Sequence, residues 1–326
     1  HDELEKAVEA LVQAQTQEER ALAKARAAEL VAIETRDELA RTGMLLDNSW
    51  WVFDAPEARR RQEEAAQRAG LAVELSVPVR DTRIELVLVP PGDFVMGSPP
   101  AETHRAAEEY LHRVRVTRPF FIGRYELTEA QWQAATGNSP PGVENRPADA
   151  RLPLTGASFE QINEQLLPAL QQWAPPGYVF RLPSEAEWEY ACRAGTATAY
   201  CAGDGEAALD RVGWYLSNSE RRVRPVGERV PNAFGIHDMH GNAGEVCADE
   251  HEPGAYLELP TEDPSGQPAQ ERPIVRGGSV FNAPEHCRSA YRSYIYAKNR
   301  YEFVGLRLVL APLDGGAPPA GELPAP

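Results

Sequence analysis

Lysine is scarce, with three residues against thirty arginines in 326. That ratio, with abundant Ala and Pro, fits a GC-rich genome and is compatible with a heat-adapted source. No stretch approaches the ~20 apolar residues of a membrane span. No charged-then-apolar leader precedes the first helical pattern, so a cytoplasmic location is expected. Basic charge is outweighed overall: a formal net charge of −16 and a pI near 5.0 argue against nucleic acid or an anionic membrane as the main partner. Local basic clusters such as Arg221, Arg222 and Arg224 remain. The four cysteines, Cys192, Cys201, Cys247 and Cys287, contain no CxxC pair, which speaks against zinc. They allow two bridges without dictating a pairing.

Aromatic residues crowd the C-terminal region. Tyr291, Tyr294, Tyr296 and Tyr301 place four of eleven tyrosines within eleven positions, among Val280, Phe281, His286, Ile295 and Phe303. Tyr, Phe and Ile suit ordinary half-buried strands. Against that reading, YIYAKNRYEF has no clean period of two, and Lys298, Asn299, Arg300 and Glu302 make its middle loop-like. Tyr and Phe on polar loops supply large, rigid contact area, as on recognition surfaces, and the surface reading is preferred. Gly277 and Gly278 beside Arg276 permit a tight turn or close approach, and Leu306, Leu308 and Val309 read as a final buried strand.

Residues 1 to about 46 combine Leu4, Val8, Leu11, Leu22, Leu30, Ile33 and Leu39 with Glu and Arg and few breakers, predicting one long helix. A second helix is predicted from Ala55 to Ala69, capped by Asp54 and Gly70. Trp50 and Trp51 between them are expected to pack this arm on the main domain. From Val73 onward, IELVLVPPGDFVMGS reads as a strand and turn entering a compact domain.

LVLVPPGDFVMGS, PFFIGRYELTEAQWQAATG, FRLPSEAEWEYACRAG, PNAFGIHDMHGNAGE, and VRGGS with CRSAYR and VGLRL follow one another in order. In that order they resemble the formylglycine-generating-enzyme-like (sulfatase-modifying factor) domain, over about residues 80–311. The resemblance implies an α+β architecture, the C-type lectin-type fold of the formylglycine-generating-enzyme variety, preceded here by an N-terminal helical region. The expected organisation is a helical arm over 1–72, the lectin-type domain over 73–312 with a variable segment at about 276–310, and a flexible Pro/Gly/Ala tail over 313–326. Thr128 and Ser184 are expected helix N-caps, and Trp132 and Trp188 structural.

The family's oxidase chemistry uses a pair of C-terminal cysteines that bind copper, since soft thiolates suit Cu(I). Here the segment holds only Cys287, which resembles the family's structural cysteine, with Cys192 as its implied disulfide partner. No copper and no oxidase activity are expected. By the same resemblance IHDMHGNAGE matches a calcium loop at Asp238, Gly241, Ala243 and Glu245, implying a structural Ca²⁺. A related iron-dependent branch uses histidines of a helical N-terminal domain; here His1 alone precedes residue 104.

A third use of this fold is non-enzymatic: variable proteins of diversity-generating retroelements, in which adenine-directed mutagenesis rewrites a C-terminal stretch on a fixed frame. The chain is most similar to that use. Val280, Phe281, His286, Tyr291, Ser293, Tyr294, Ile295, Tyr296, Tyr301 and Phe303 are each reachable from an AAC codon by changing adenines alone, whereas Glu302 is not. With Asn282 and Glu302 these form the expected binding surface, and Arg276, Gly277, Gly278, Cys287, Arg288, Arg292, Gly305 and Arg307 the frame. The expected function is binding of a macromolecular ligand, a protein. The alternative is a catalytically silent sensor or scaffold domain; a third reading, an oxidoreductase, would betray itself by aldehyde formation on a cysteine peptide.

Overall fold

The computed structural model describes residues 50–142, 149–252 and 261–313. The predicted long helix over 1–46 and the tail beyond 313 lie outside the described residues. Helix α1, Ala55–Ala69, starts where Asp54 accepts a hydrogen bond from the Glu57 amide and stops at Gly70 in the left-handed region, as its capping residues predict. It is fastened to the domain rather than standing apart: the buried Gln62 side chain donates to the carbonyls of Leu88 and Phe234. Trp51 and Phe53 are buried in the same core as Phe94 and Trp188.

The first sheet contains β1 (Glu74–Val79), β2 (Thr82–Val89), β5 (Phe120–Gly123), β11 (Val309–Pro312) and β6 (Tyr178–Arg181), in that spatial order. All of its pairings are antiparallel, and β11, late in the sequence, lies between β5 and β6. A hairpin of β3 (Gly92–Met96) and β4 (His112–Val116) stands beside it. The second sheet has the order β10 (Val304–Leu306), β7 (Gly244–Glu250), β8 (Pro273–Arg276) and β9 (Ser293–Tyr294). β10 runs parallel to β7 while the other pairs are antiparallel. The expected single final strand is therefore two: Leu306 ends β10 and Val309 begins β11 in the other sheet. Arg307 and Leu308 make the crossing, and the buried Arg307 anchors it.

Helix α2 (Glu129–Thr136) and helix α3 (Glu185–Arg193) begin with reciprocal capping boxes, Thr128 with Gln131 and Ser184 with Glu187. Trp132 and Trp188 are fully buried, the structural role expected of them. On α3, Glu185, Glu189 and Arg193 recur every fourth residue and line one face. That face points at the C-terminal segment.

Candidate functional site: an aromatic belt on an ion-paired frame

The C-terminal segment is held by arginines that reach inward. Arg276 pairs with Glu189 and, at 3.1 Å, with Glu185; Arg292 closes a fork on Glu185 at 2.7 and 2.9 Å. Glu189 also accepts from Arg193 and the Gly97 amide, both at 2.9 Å. Arg288 forks onto Glu109 at 2.7 Å and reaches Glu102 at 2.6 Å, and Arg307 holds Glu245 at 2.6 Å. These guanidinium groups are buried. Burial alone would lower the Arg288 pKa, yet its two carboxylates hold it above the ordinary value. The partners differ: burial pushes both carboxyls up and prevails for Glu102, whereas the paired bonds from Arg288 and that from Ser98 bring Glu109 below its usual range. Such pairs fix geometry because leaving any member unpartnered in the interior is costly. Gly278, at φ +71°, closes the turn, and a Cβ there would stand 2.6 Å from the His286 carbonyl.

On this frame the predicted surface residues divide. Tyr294, Tyr296 and Phe281 are 41%, 54% and 39% exposed, three of the five large apolar side chains exposed among the described residues. Tyr301 and Phe303 are half-buried against the core. The rings form one belt: Phe281 meets Phe303 edge-on at 5.9 Å, Phe303 meets Tyr301 at 5.7 Å, and Tyr294 meets Tyr296 at 6.0 Å. The Tyr296 amide donates to Tyr301 Oη at 3.4 Å and joins the two halves. His286 and Tyr291 form a separate pair, 4.7 Å between centroids. Asn282 and Ser293 are half-buried and Glu302 is exposed.

Two expectations fail. Val280 and Ile295 are 0% and 4% exposed and present no binding surface. Val280 is pinned because its carbonyl accepts from Ser219 Oγ at 3.1 Å and its amide donates to Asn242. Ile295 points into the main core while its neighbours Tyr294 and Tyr296 point out, a period of two that the surrounding polar residues conceal. Sequence reasoning also missed His251 and Arg272, which back Tyr294 at 4.7 and 5.8 Å. They come from β7's end and the approach to β8, and no local spacing signals them.

The four cysteines are free thiols, so the implied Cys192–Cys287 bridge is absent. The His240 ring contacts both residues, Nε2 at 3.6 Å from Cys192 Sγ and Nδ1 at 2.8 Å from the Cys287 carbonyl. Burial pushes the Cys287 thiol up to about 12, away from the thiolate copper needs, and residues 280–286 offer no second thiol. The segment does not fit a paired-thiolate copper centre. Of the calcium candidates, Gly241 and Ala243 could offer only backbone carbonyls. Glu245 is committed to Arg307 and to Trp188 Nε1 at 2.6 Å, whereas Asp238 Oδ1 is buried without a hydrogen-bond partner. Among the described residues no group of three or more His, Cys, Asp or Glu is arranged to hold a metal. Of these four candidates, Asp238 alone keeps a buried side-chain oxygen without a partner, since both oxygens of Glu245 accept hydrogen bonds from Arg307.

A cleft of about 710 Å³ lies elsewhere, lined by Phe120, Phe159, Arg181, Asp249 and Pro312 among others, and includes none of the belt residues. Asp249 accepts from the first amide of α3 at 2.6 Å and from Gly266. Burial and then the nearby Glu185 carboxylate push its pKa up to about 6. A carboxyl raised on folding contributes stability that is full below its unfolded pKa and is lost as pH rises through the folded value. In urea unfolding, stability of the native chain relative to Asp249→Asn should therefore fall by about 3 kcal/mol between roughly pH 4 and pH 7. A constant difference across that window would refute the assignment.

Residues 74–312 match the family described as the sulfatase-modifying factor enzyme 1-like domain. Among curated proteins, the formylglycine-generating enzyme of Streptomyces coelicolor is 29% identical over 265 residues, 64% of this chain and 82% of that protein. The enzyme of the same name from Mycobacterium tuberculosis is 33% identical over 41% of this chain, and the chaperone protein LppX of Paenibacillus barcinonensis 28% identical over 40%. The matches span 52% and 62% of those two relatives. Among solved structures, PvdO from Pseudomonas aeruginosa superposes with a TM-score of 0.63 at 27% identity, over 72% of this chain and 97% of PvdO. Variable protein 1 of Treponema denticola superposes with 0.62 at 23% identity, over 73% of this chain and 99% of that one.

Proposed function

The chain belongs to the family of sulfatase-modifying factor enzyme 1-like domains and has the C-type lectin-type fold, and from that premise we propose that it is a non-enzymatic binding protein. Its C-terminal surface is of the kind that a diversity-generating retroelement rewrites, and its ligand is macromolecular, a protein. The observation that carries this reading is the division of labour within residues 276–307. Arg276, Arg288, Arg292 and Arg307 point inward to buried carboxylates, while Phe281, Tyr294 and Tyr296 point outward. A receptor that changes specificity needs that separation, because side chains that do not support the fold can be exchanged freely. The absence of a second C-terminal cysteine supports the non-enzymatic part. Among the described residues no helix is long and apolar enough to cross a membrane.

The variable set contracts to the ten positions Phe281, Asn282, His286, Tyr291, Ser293, Tyr294, Tyr296, Tyr301, Glu302 and Phe303. A surface-displayed library randomised at these ten positions should stay largely folded by protease resistance. One randomised at the four arginines, or at Val280 and Ile295, should collapse. Equal losses in both libraries would remove the basis for a replaceable surface.

A further inference from the structure

The aromatic belt adjoins a second surface of opposite character to the rest of the molecule. Residues 211–229 carry five arginines against two glutamates in a chain whose net charge is −16. The loop is tied to the belt's Phe281 end: the Leu216 amide donates to the Asn282 carbonyl at 3.0 Å and Ser219 Oγ to the Val280 carbonyl at 3.1 Å. Trp214 forms its floor. The Arg229 guanidinium lies 3.6 Å from the Trp214 ring centroid and that of Arg224 lies 5.3 Å away, a cation–π stack that orients both.

Two features distinguish this loop from a solvated basic turn. Glu220 and Arg221 sit consecutively at φ 57°, a left-handed conformation costly for residues with a Cβ, and it leaves Arg221 and Arg222 exposed. Arg224 Nε, Arg229 Nε and Trp214 Nε1 are all buried without a hydrogen-bond partner. The exposed Arg221 and Arg222 are the guanidinium groups within a partner's reach, and the fork of an arginine suits a carboxylate. Among the described residues the loop's own glutamates make only loose pairs: Glu220 approaches Arg224 at 3.7 Å, and Glu228 lies 3.9 Å from Arg151.

We propose that the arginine loop and the aromatic belt, which it adjoins at Phe281, form one docking surface for an acidic segment of a partner protein. Carboxylates of that segment face Arg221, Arg222 and Arg224, and its apolar side chains face the rings. This rests on the belt being a binding surface. A polyanionic nucleic acid would meet the same arginines but would also meet the field of a strongly acidic chain, which disfavours it at ordinary salt. Charge complementarity of this kind acts mainly on encounter rate and choice of partner, and the rings act on residence time.

The test is selection of a displayed random-peptide library on the native chain, on R221E/R222E and on Y294A/Y296A/F303A, with a twenty-nucleotide oligothymidylate as competitor. On the native chain the selected peptides should be rich in Asp and Glu beside an apolar residue. R221E/R222E should weaken a chosen peptide roughly tenfold or more, chiefly through the association rate, and reverse the charge selected. The belt variant should yield none of these peptides. Peptides without acidic bias that still need the belt would overturn this inference and leave the binding surface standing. Acidic peptides indifferent to the belt variant would overturn the joint surface, tighter binding of the oligonucleotide would replace the partner class, and failure to select any peptide would sink both readings.

Discussion

Replacing Tyr294, Tyr296 and Phe303 together by alanine lowers affinity for peptides selected on the native chain by roughly 100-fold or more, while the fold survives. Central aromatic anchors each cost about 2 kcal/mol or more when truncated, and two such anchors already exceed that factor. Tyr294 and Tyr296 are 41% and 54% exposed, so their removal takes little from the core. Phe303 packs partly against it and costs about 1 kcal/mol, a fall of roughly 2–4 °C in Tm for a domain of this size. Surface plasmon resonance and a thermal scan on the same preparation measure both. Lost binding with a large fall in Tm would make the rings structural.

Glu189→Ala should have the opposite profile. Glu189 is fully buried and receives Arg276, Arg193 and the Gly97 amide, so truncation removes the carboxylate that two buried guanidinium groups share. Breaking a buried pair by removing one partner costs about 3–5 kcal/mol, or roughly 10 °C or more in Tm. Glu160→Ala provides the control, because its partner Lys298 is 84% exposed at 3.9 Å and such surface pairs contribute little. Similar melting curves for the two variants would mean that the ion-paired frame does not hold the C-terminal segment.

These two profiles reflect what was legible in the chain. Asp54, Thr128 and Ser184 announce their helices because capping chemistry is complete within four residues. The ordered family motifs specify the fold, and polar neighbours expose Tyr294 and Tyr296 as surface residues. The arginines of the frame were legible as fixed, but their partners were not: Glu185 and Glu189 lie 91 and 87 residues from Arg276. Val280 likewise reads as a loop residue until Ser219, 61 residues earlier, closes over it. Ile295 was hidden for a different reason, since only four residues alternate before Lys298, Asn299 and Arg300 end the pattern. A disulfide followed from motif positions, yet Cys192 and Cys287 are free thiols, and the His240 ring meets Cys192 Sγ and the Cys287 carbonyl. Motif position specifies where a residue stands, whereas the charges facing it come from elsewhere in the chain.

The most direct measurement is deep sequencing of the gene's 3′ end and flanking DNA across many cells. The account predicts a nearby copy of the segment differing almost only where that copy has adenine. Substitutions should be confined to the ten variable positions, with the codons of Val280, Ile295, Arg276, Arg288, Arg292 and Arg307 untouched. One uniform sequence without such a copy, or substitutions that reach the buried arginines, would contradict it.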